Sequence, residues 1–200
     1  MSNSSLWVMD KNFNGEELIE FKNSWLFSPV SWDILLEKYI PKKPFESKRS
    51  FLSATMFDKT IHGRLNEKLN NSEVQEDRVL WEMSNQQVFF TKDKVFIVNS
   101  IKMFLKTNKE YATELEEHIH DRFNEIAEEI LKIDENEYPF LIFKNTSCDD
   151  NVEYWFSKYD EESDEYIDRS LKELNERVTE FVNIENEIIK GFTSNLDYFS

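Results

Sequence analysis

Glycine is scarce in this chain, with three residues in 200. Gly15, Gly63 and Gly191 are too few and too far apart for a dinucleotide fingerprint or a Walker loop, both of which cluster glycines around a phosphate. A G-x-S-x-G nucleophile elbow is equally absent. The single cysteine, Cys148, excludes an intrachain disulfide, and Asp149 and Asp150 beside it disfavour the thiolate that a nucleophilic cysteine needs. No run of about 18 uncharged apolar residues occurs, and the first residues lack a basic segment followed by an apolar core. A membrane span and a secretory leader are therefore not expected, and the cytoplasm is the simplest location.

Histidine is also rare, at three residues, two of them in the run EEHIHD. On a helix His118 and His120 point about 200° apart, so one ion could not take both. Glu114, His118 and Asp121 could offer an i, i+4, i+7 set, but a helix rich in glutamate produces such triplets by chance. Asp10 with Glu20-Phe21-Lys22 holds the residue types of a metal-dependent nuclease, yet the spacing of Leu18, Phe21 and Trp25 predicts a helix there rather than the strand such a site requires. The reading is of a chain with no cofactor and no metal.

Positive charge runs short as well: 24 Lys and Arg stand against 40 Asp and Glu, for a net charge of −16. Residues 1 to 106 hold 15 basic and 14 acidic residues, whereas residues 107 to 200 hold 9 and 26. The acidity belongs to the second half. Such a field repels nucleic acid and anionic membrane and steers a basic protein surface into encounter. Aromatic residues are plentiful, with 17 Phe, 7 Tyr and 5 Trp, so the chain has a core to bury and is not an acidic disordered segment.

The surest element is an acidic amphipathic helix over about 108 to 133, with Asn108 as its cap. Leu115, Ile119, Phe123, Ile126, Ile130 and Ile133 recur at helical spacing, and glutamates fill the other faces. Before it, Leu6 to Met9 reads as a short edge strand. A helix from Glu16, stopped at Pro29, and a second over SWDILLEKYI capped by Ser31 follow. A third runs over about 50 to 69, and a fourth begins at a capping box of Ser72 and Gln75. QVFFTKDKVFIV reads as a hairpin around Lys-Asp. PFLIFKN and VEYWFSKY read as a second hairpin joined by the turn-rich TSCDDN, and a long C-terminal helix spans about 163 to 190 with Gly191 as its cap. The expected fold is α+β: a helix-rich N-terminal part and two hairpins making a small antiparallel sheet. The organisation expected is one domain over 1 to 200, with a possible helical subdomain over 1 to 85 and an acidic α+β part over 86 to 200.

The function expected from this pattern is that of a non-enzymatic protein-binding protein, an acidic inhibitor, immunity or anti-defence factor covering a basic and perhaps nucleic-acid-binding partner surface. Its contact residues would be Glu114, Glu116, Glu117, Asp121 and Glu125 on the acidic helix. Tyr154, Trp155, Tyr159, Asp160, Glu161, Glu162, Asp164 and Glu165 would join them from YWFSKYDEESDEY, where aromatic anchors stand beside carboxylates. The alternatives are an accessory subunit of a multi-protein defence or nucleic-acid-processing complex and a metal-dependent hydrolase. No direct nucleic-acid contact through the acidic half and no membrane contact are expected.

Overall fold

The computed structural model describes residues 3–22, 27–40, 59–112, 115–146, 157–168 and 180–198. It is a mixed α/β fold. β1 (Asn3–Met9) and β2 (Gly15–Lys22) open the chain, followed by α1 (Ser28–Tyr39), α2 (Lys59–Asn70) and α3 (Gln75–Ser84). β3 (Val88–Phe90), a 3-10 turn at Thr91–Asp93, α4 (Lys94–Thr107), α5 (Glu117–Lys132) and β4 (Phe140–Thr146) come next. β5 (Ser157–Asp160), β6 (Glu165–Asp168), β7 (Glu180–Glu185), β8 (Ile188–Ser194) and the single turn α6 (Asn195–Tyr198) complete the described part.

Six strands form one sheet in the order β2-β1-β4-β3-β7-β8, and β5 and β6 form a separate pair. All neighbours in the large sheet are antiparallel except β3 and β7, which run parallel, with Val88 opposite Phe181 and Phe89 opposite Val182. Strand alternation sorts side chains onto two faces. Leu6, Val8, Phe89, Leu141, Phe143 and Val182 point to the helical side, where they meet buried residues of α1 to α5 such as Leu35, Leu80, Ile101 and Phe123. Trp7, Met9, Phe13, Phe140, Ile142 and Phe181 line the opposite face as a smaller, mostly aromatic core. Both faces are buried, so these strands read as near-continuous apolar runs.

The N-terminal expectation is overturned. Residues 3 to 22 are a β-hairpin rather than the start of a helix-rich part, and β1 is central rather than at an edge, because it pairs with both β2 and β4. The loop between β1 and β2 is fixed by Asp10, whose carboxylate accepts from the backbone of Asn12 and Asn14 at 2.8 and 2.9 Å. Phe13 takes a positive φ of 68° there, which turns its ring under the sheet against Phe140 and Phe181. Pro29 opens a helix instead of closing one: α1 starts at Ser28, and proline fits the first turn, where no backbone N–H is needed.

Further along, KVFIV is not the second strand of a hairpin but the first turns of α4, which buries Ile97, Ile101, Phe104 and Leu105 at helical spacing. Asn108 does not cap the acidic helix; it ends α4, and the acidic helix starts nine residues later at Glu117. PFLIFKN is a strand as expected, but β4 pairs with β1 and β3, while β5 pairs with β6. The long C-terminal helix is contradicted at both ends: Glu165–Asp168 is β6, and Glu180–Ser194 is the β7–β8 hairpin. Its middle, and residues 50–58 of the expected third helix, lie outside the described residues. Gly191 is a strand residue, with φ at +154°, in place of a helix cap.

At the β8 edge of the sheet, α3 protects the backbone. Gln75 Oε1 accepts from the Ile189 N–H at 2.9 Å, and Arg78 donates to the Ile189 carbonyl at 2.9 Å. An edge covered in this way is not a template for further strands at that point. Gln75 is therefore spent on strand β8 and not on a capping box; the hydroxyl of Ser72 instead accepts from the Val74 N–H.

Candidate functional site

α5 presses Phe123, Ile126, Ala127 and Ile130 into the core, and this fixes what its other side shows. Glu117, Asp121, Glu125 and Glu128 are all exposed and recur at steps of four, four and three, a single line of carboxylates about 6 Å apart along the helix. Arg122 donates to Glu125 at 2.6 Å and Lys132 to Glu129 at 2.6 Å, while His118 lies 3.2 Å from Glu116. Among the described residues, Glu117 and Asp121 are in no ion pair, while Glu128 lies within the field of Lys132.

The β5–β6 hairpin carries the second acidic surface. Asp160 pairs across the strands with Glu165, and the turn between them exposes Glu161, Glu162 and Asp164. Asp160 shapes the turn by accepting from the backbone and hydroxyl of Ser163 at 3.1 and 2.7 Å. Asp164 has a φ of 58°, and its carboxylate accepts the hydroxyl of Tyr159. That hydrogen bond, with some desolvation, holds the Tyr159 hydroxyl protonated above its ordinary range. Tyr159 is 49% exposed, so an aromatic ring stands half in solvent on a hairpin whose residues 160–165 carry five carboxylates. Glu114, Tyr154 and Trp155, the other expected contact residues, lie outside the described residues. The structure thus places the remaining expected residues on two exposed acidic elements.

Three further features escaped the sequence reading. The first is a buried polar junction where α1, α3 and α4 meet. Asp77 is fully buried and accepts from Lys38 at 2.5 Å, from Tyr39 at 2.6 Å and from the Asn108 amide at 2.7 Å, while Lys38 also donates to the Asn108 carbonyl oxygen at 2.8 Å. Burial and the Asp77 carboxylate push the Tyr39 hydroxyl well above its ordinary titration range. Nothing in the sequence spacing joins residues 38, 77 and 108; only packing does.

The second feature is Glu82 on α3. Burial raises its carboxyl pKa to about 8 against the opposing charge of Arg78, and Glu180 at the start of β7 raises it further. The third is a cleft of about 760 Å³ at the carboxyl ends of the parallel strands β3 and β7. Phe90 and Lys92 reach it from β3 and the turn after it, Asn183 and Glu185 from β7, and Lys190 and Gly191 from β8. Glu135, Asn136 and Pro139 line it from the segment before β4. That wall is held in place: Asn136 donates its N–H to Asp134 at 2.9 Å, Thr91 donates to the Pro139 carbonyl at 2.9 Å, and Lys94 donates to the Ile133 carbonyl at 2.6 Å.

Among the described residues, no group of three or more His, Cys, Asp or Glu could share a metal ion, and no helix is long and apolar enough to cross a membrane. Comparison with protein-family profiles, curated proteins and solved structures gives no match.

Proposed function

We propose that this chain is a non-enzymatic protein-binding protein, an acidic inhibitor of the immunity or anti-defence kind, which covers a basic surface on its partner. The observation that carries this reading is the line of exposed carboxylates on α5, Glu117, Asp121, Glu125 and Glu128, on a chain whose second half has a balance of 9 basic to 26 acidic residues. The β5–β6 tip adds Glu161, Glu162, Asp164 and Glu165 with the half-exposed ring of Tyr159 as an anchor. Charge arranged in this way accelerates encounter with a basic surface, and an aromatic anchor slows departure. A basic surface that binds nucleic acid would be blocked because carboxylates occupy the positions of phosphates.

A second reading, an accessory subunit of a larger assembly, is favoured by Val95 and Met103, which stand 58% and 43% exposed two turns apart on α4. Affinity capture from the source lysate with the tagged chain, washed in parallel at low and high salt, separates the two readings. A basic partner retained at low salt and shed at high salt is expected. A fixed set of partners surviving both washes would replace the inhibitor reading with the subunit reading.

A further inference from the structure

We infer that the cleft at the carboxyl ends of β3 and β7 is a binding site for a free nucleotide, a planar base carrying a sugar and one phosphate. The position is the first argument. Where parallel strands end in an open sheet, the backbone diverges and leaves a crevice, and small ligands bind there. β3 and β7 are the parallel pair of this sheet, and Phe90, Lys92 and Glu185 come from their carboxyl ends. The volume of about 760 Å³ falls within the range of small-molecule sites.

The lining supplies one group for each part of such a ligand. Tyr198 is 43% exposed at the cleft, and its ring is braced by stacking on Phe181 at 4.8 Å, by the edge contact with Phe140 at 5.5 Å and by Phe90 at 5.6 Å. A braced, half-exposed aromatic ring is a platform for a base. Lys92 and Lys190 are both exposed and, among the described residues, in no ion pair. Lys92 Nζ lies over the ring of Phe90, 5.3 Å from its centroid, and the two ammonium groups share the lining with the carboxylates of Glu135 and Glu185, so a compact anion would be held between the lysines and not by the cleft as a whole. Glu185 provides a carboxylate acceptor for sugar hydroxyls. Gly191, opposite Asn183 in the β7–β8 pairing, leaves the floor open: a Cβ built there meets nothing within 4 Å. The overall negative charge repels a polyanion, which favours a free nucleotide over a nucleic-acid strand.

The test is titration of the ¹⁵N-labelled full chain with adenosine, guanosine, cytidine and uridine 5′-monophosphates, with adenosine, with inorganic phosphate and with a ten-base single-stranded oligonucleotide. At least one monophosphate is expected to shift the amide signals of Gly191, Phe192 and Asn136 at millimolar concentration or below, and more tightly than adenosine or phosphate alone. Lys92→Glu and Lys190→Glu should each weaken binding about tenfold or more, the loss of one charge-assisted hydrogen bond. Tyr198→Leu should weaken it too, and the two exposed lysine variants keep the test decisive if the Tyr198 variant loosens the fold. No shift with any monophosphate, shifts unmoved by both lysine variants, or tighter binding of the oligonucleotide would each overturn the inference.

Discussion

Tyr39 on α1 donates its hydroxyl to the buried carboxylate of Asp77 on α3 at 2.6 Å, and so ties together two helices that are 38 residues apart in sequence. Lys38, one residue earlier, reaches the same oxygen, and Asn108 takes the other, so a single carboxylate collects three elements. An apolar interface could bring these helices together in several registers. A buried carboxylate with three designated donors accepts one.

Asp77→Ala should therefore destabilise the chain by about 3 to 5 kcal/mol, because it removes the acceptor shared by Lys38, Tyr39 and Asn108 and leaves the Lys38 charge with the Asn108 carbonyl oxygen in place of a carboxylate. Tyr39→Phe should cost about 1 kcal/mol, since Lys38 and Asn108 remain to satisfy the carboxylate. Urea denaturation followed by circular dichroism measures both. Equal losses in the two variants would contradict the central place given to Asp77.

Glu82 predicts an unusual dependence on pH. Its carboxyl is raised from an ordinary 4.5 to about 8, by burial first, with Arg78 opposing and Glu180 assisting. Between those values the folded chain holds a proton that the unfolded chain has released. The contribution of Glu82 to stability is thus fully present below about pH 4.5 and is lost as the pH rises through about 8. The loss is on the order of 5 kcal/mol for a shift of this size. Glu82→Gln should flatten the slope and raise the melting temperature at pH 8 above that of the parent chain. A melting temperature that stays level between pH 5 and pH 9 in the parent chain would disprove the assignment.

The β7–β8 hairpin turns through Asn186 and Glu187, with φ of 52° and 60°. Two successive positive φ values are the signature of the tight turn that suits strand twist, and the second position favours glycine. A glutamate there costs about 1 kcal/mol of backbone strain. Glu187→Gly should recover much of that, and Glu187→Val should lose more. The urea midpoints should rank Gly, Glu, Val, and a lower midpoint for the glycine variant would refute the turn geometry.

The same turn explains why residues 180–190 read as helix in the sequence and fold into a hairpin. With Glu in place of Gly, Asn186-Glu187 carries little hairpin signal, and EFVNIE shows no alternation because Phe181 faces one core while Val182 and Ile184 face the other. Ile167, Phe181, Ile188 and Ile189 then fall near one helical stripe by coincidence. In β2, Leu18 and Phe21 suggested a helix although Leu18 is 41% exposed; Ile19 and Phe21 are the pair that face inward. In α4 the error ran the other way, since β-branched Val95, Ile97 and Val98 suggested a strand whose real period is set by Ile97, Ile101, Phe104 and Leu105.

What could be read was what periodicity alone decides. Phe123, Ile126, Ile130 and Ile133 are buried as their spacing demanded, and with that face fixed the exposure of Glu117, Asp121 and Glu125 followed. The junction at Asp77, the raised Glu82 and the cleft between β3, β7 and β8 depend on contacts across the fold, and no local pattern announces them.

The proposal that the acidic face of α5 recognises a basic partner is tested most directly by the association rate of the captured partner, measured by stopped flow across ionic strength. The parent chain should associate more slowly as salt rises. The charge reversals Glu117→Lys, Asp121→Lys and Glu125→Lys combined should slow association at low salt by about tenfold or more and flatten the salt dependence. A rate indifferent both to salt and to the three reversals would contradict it.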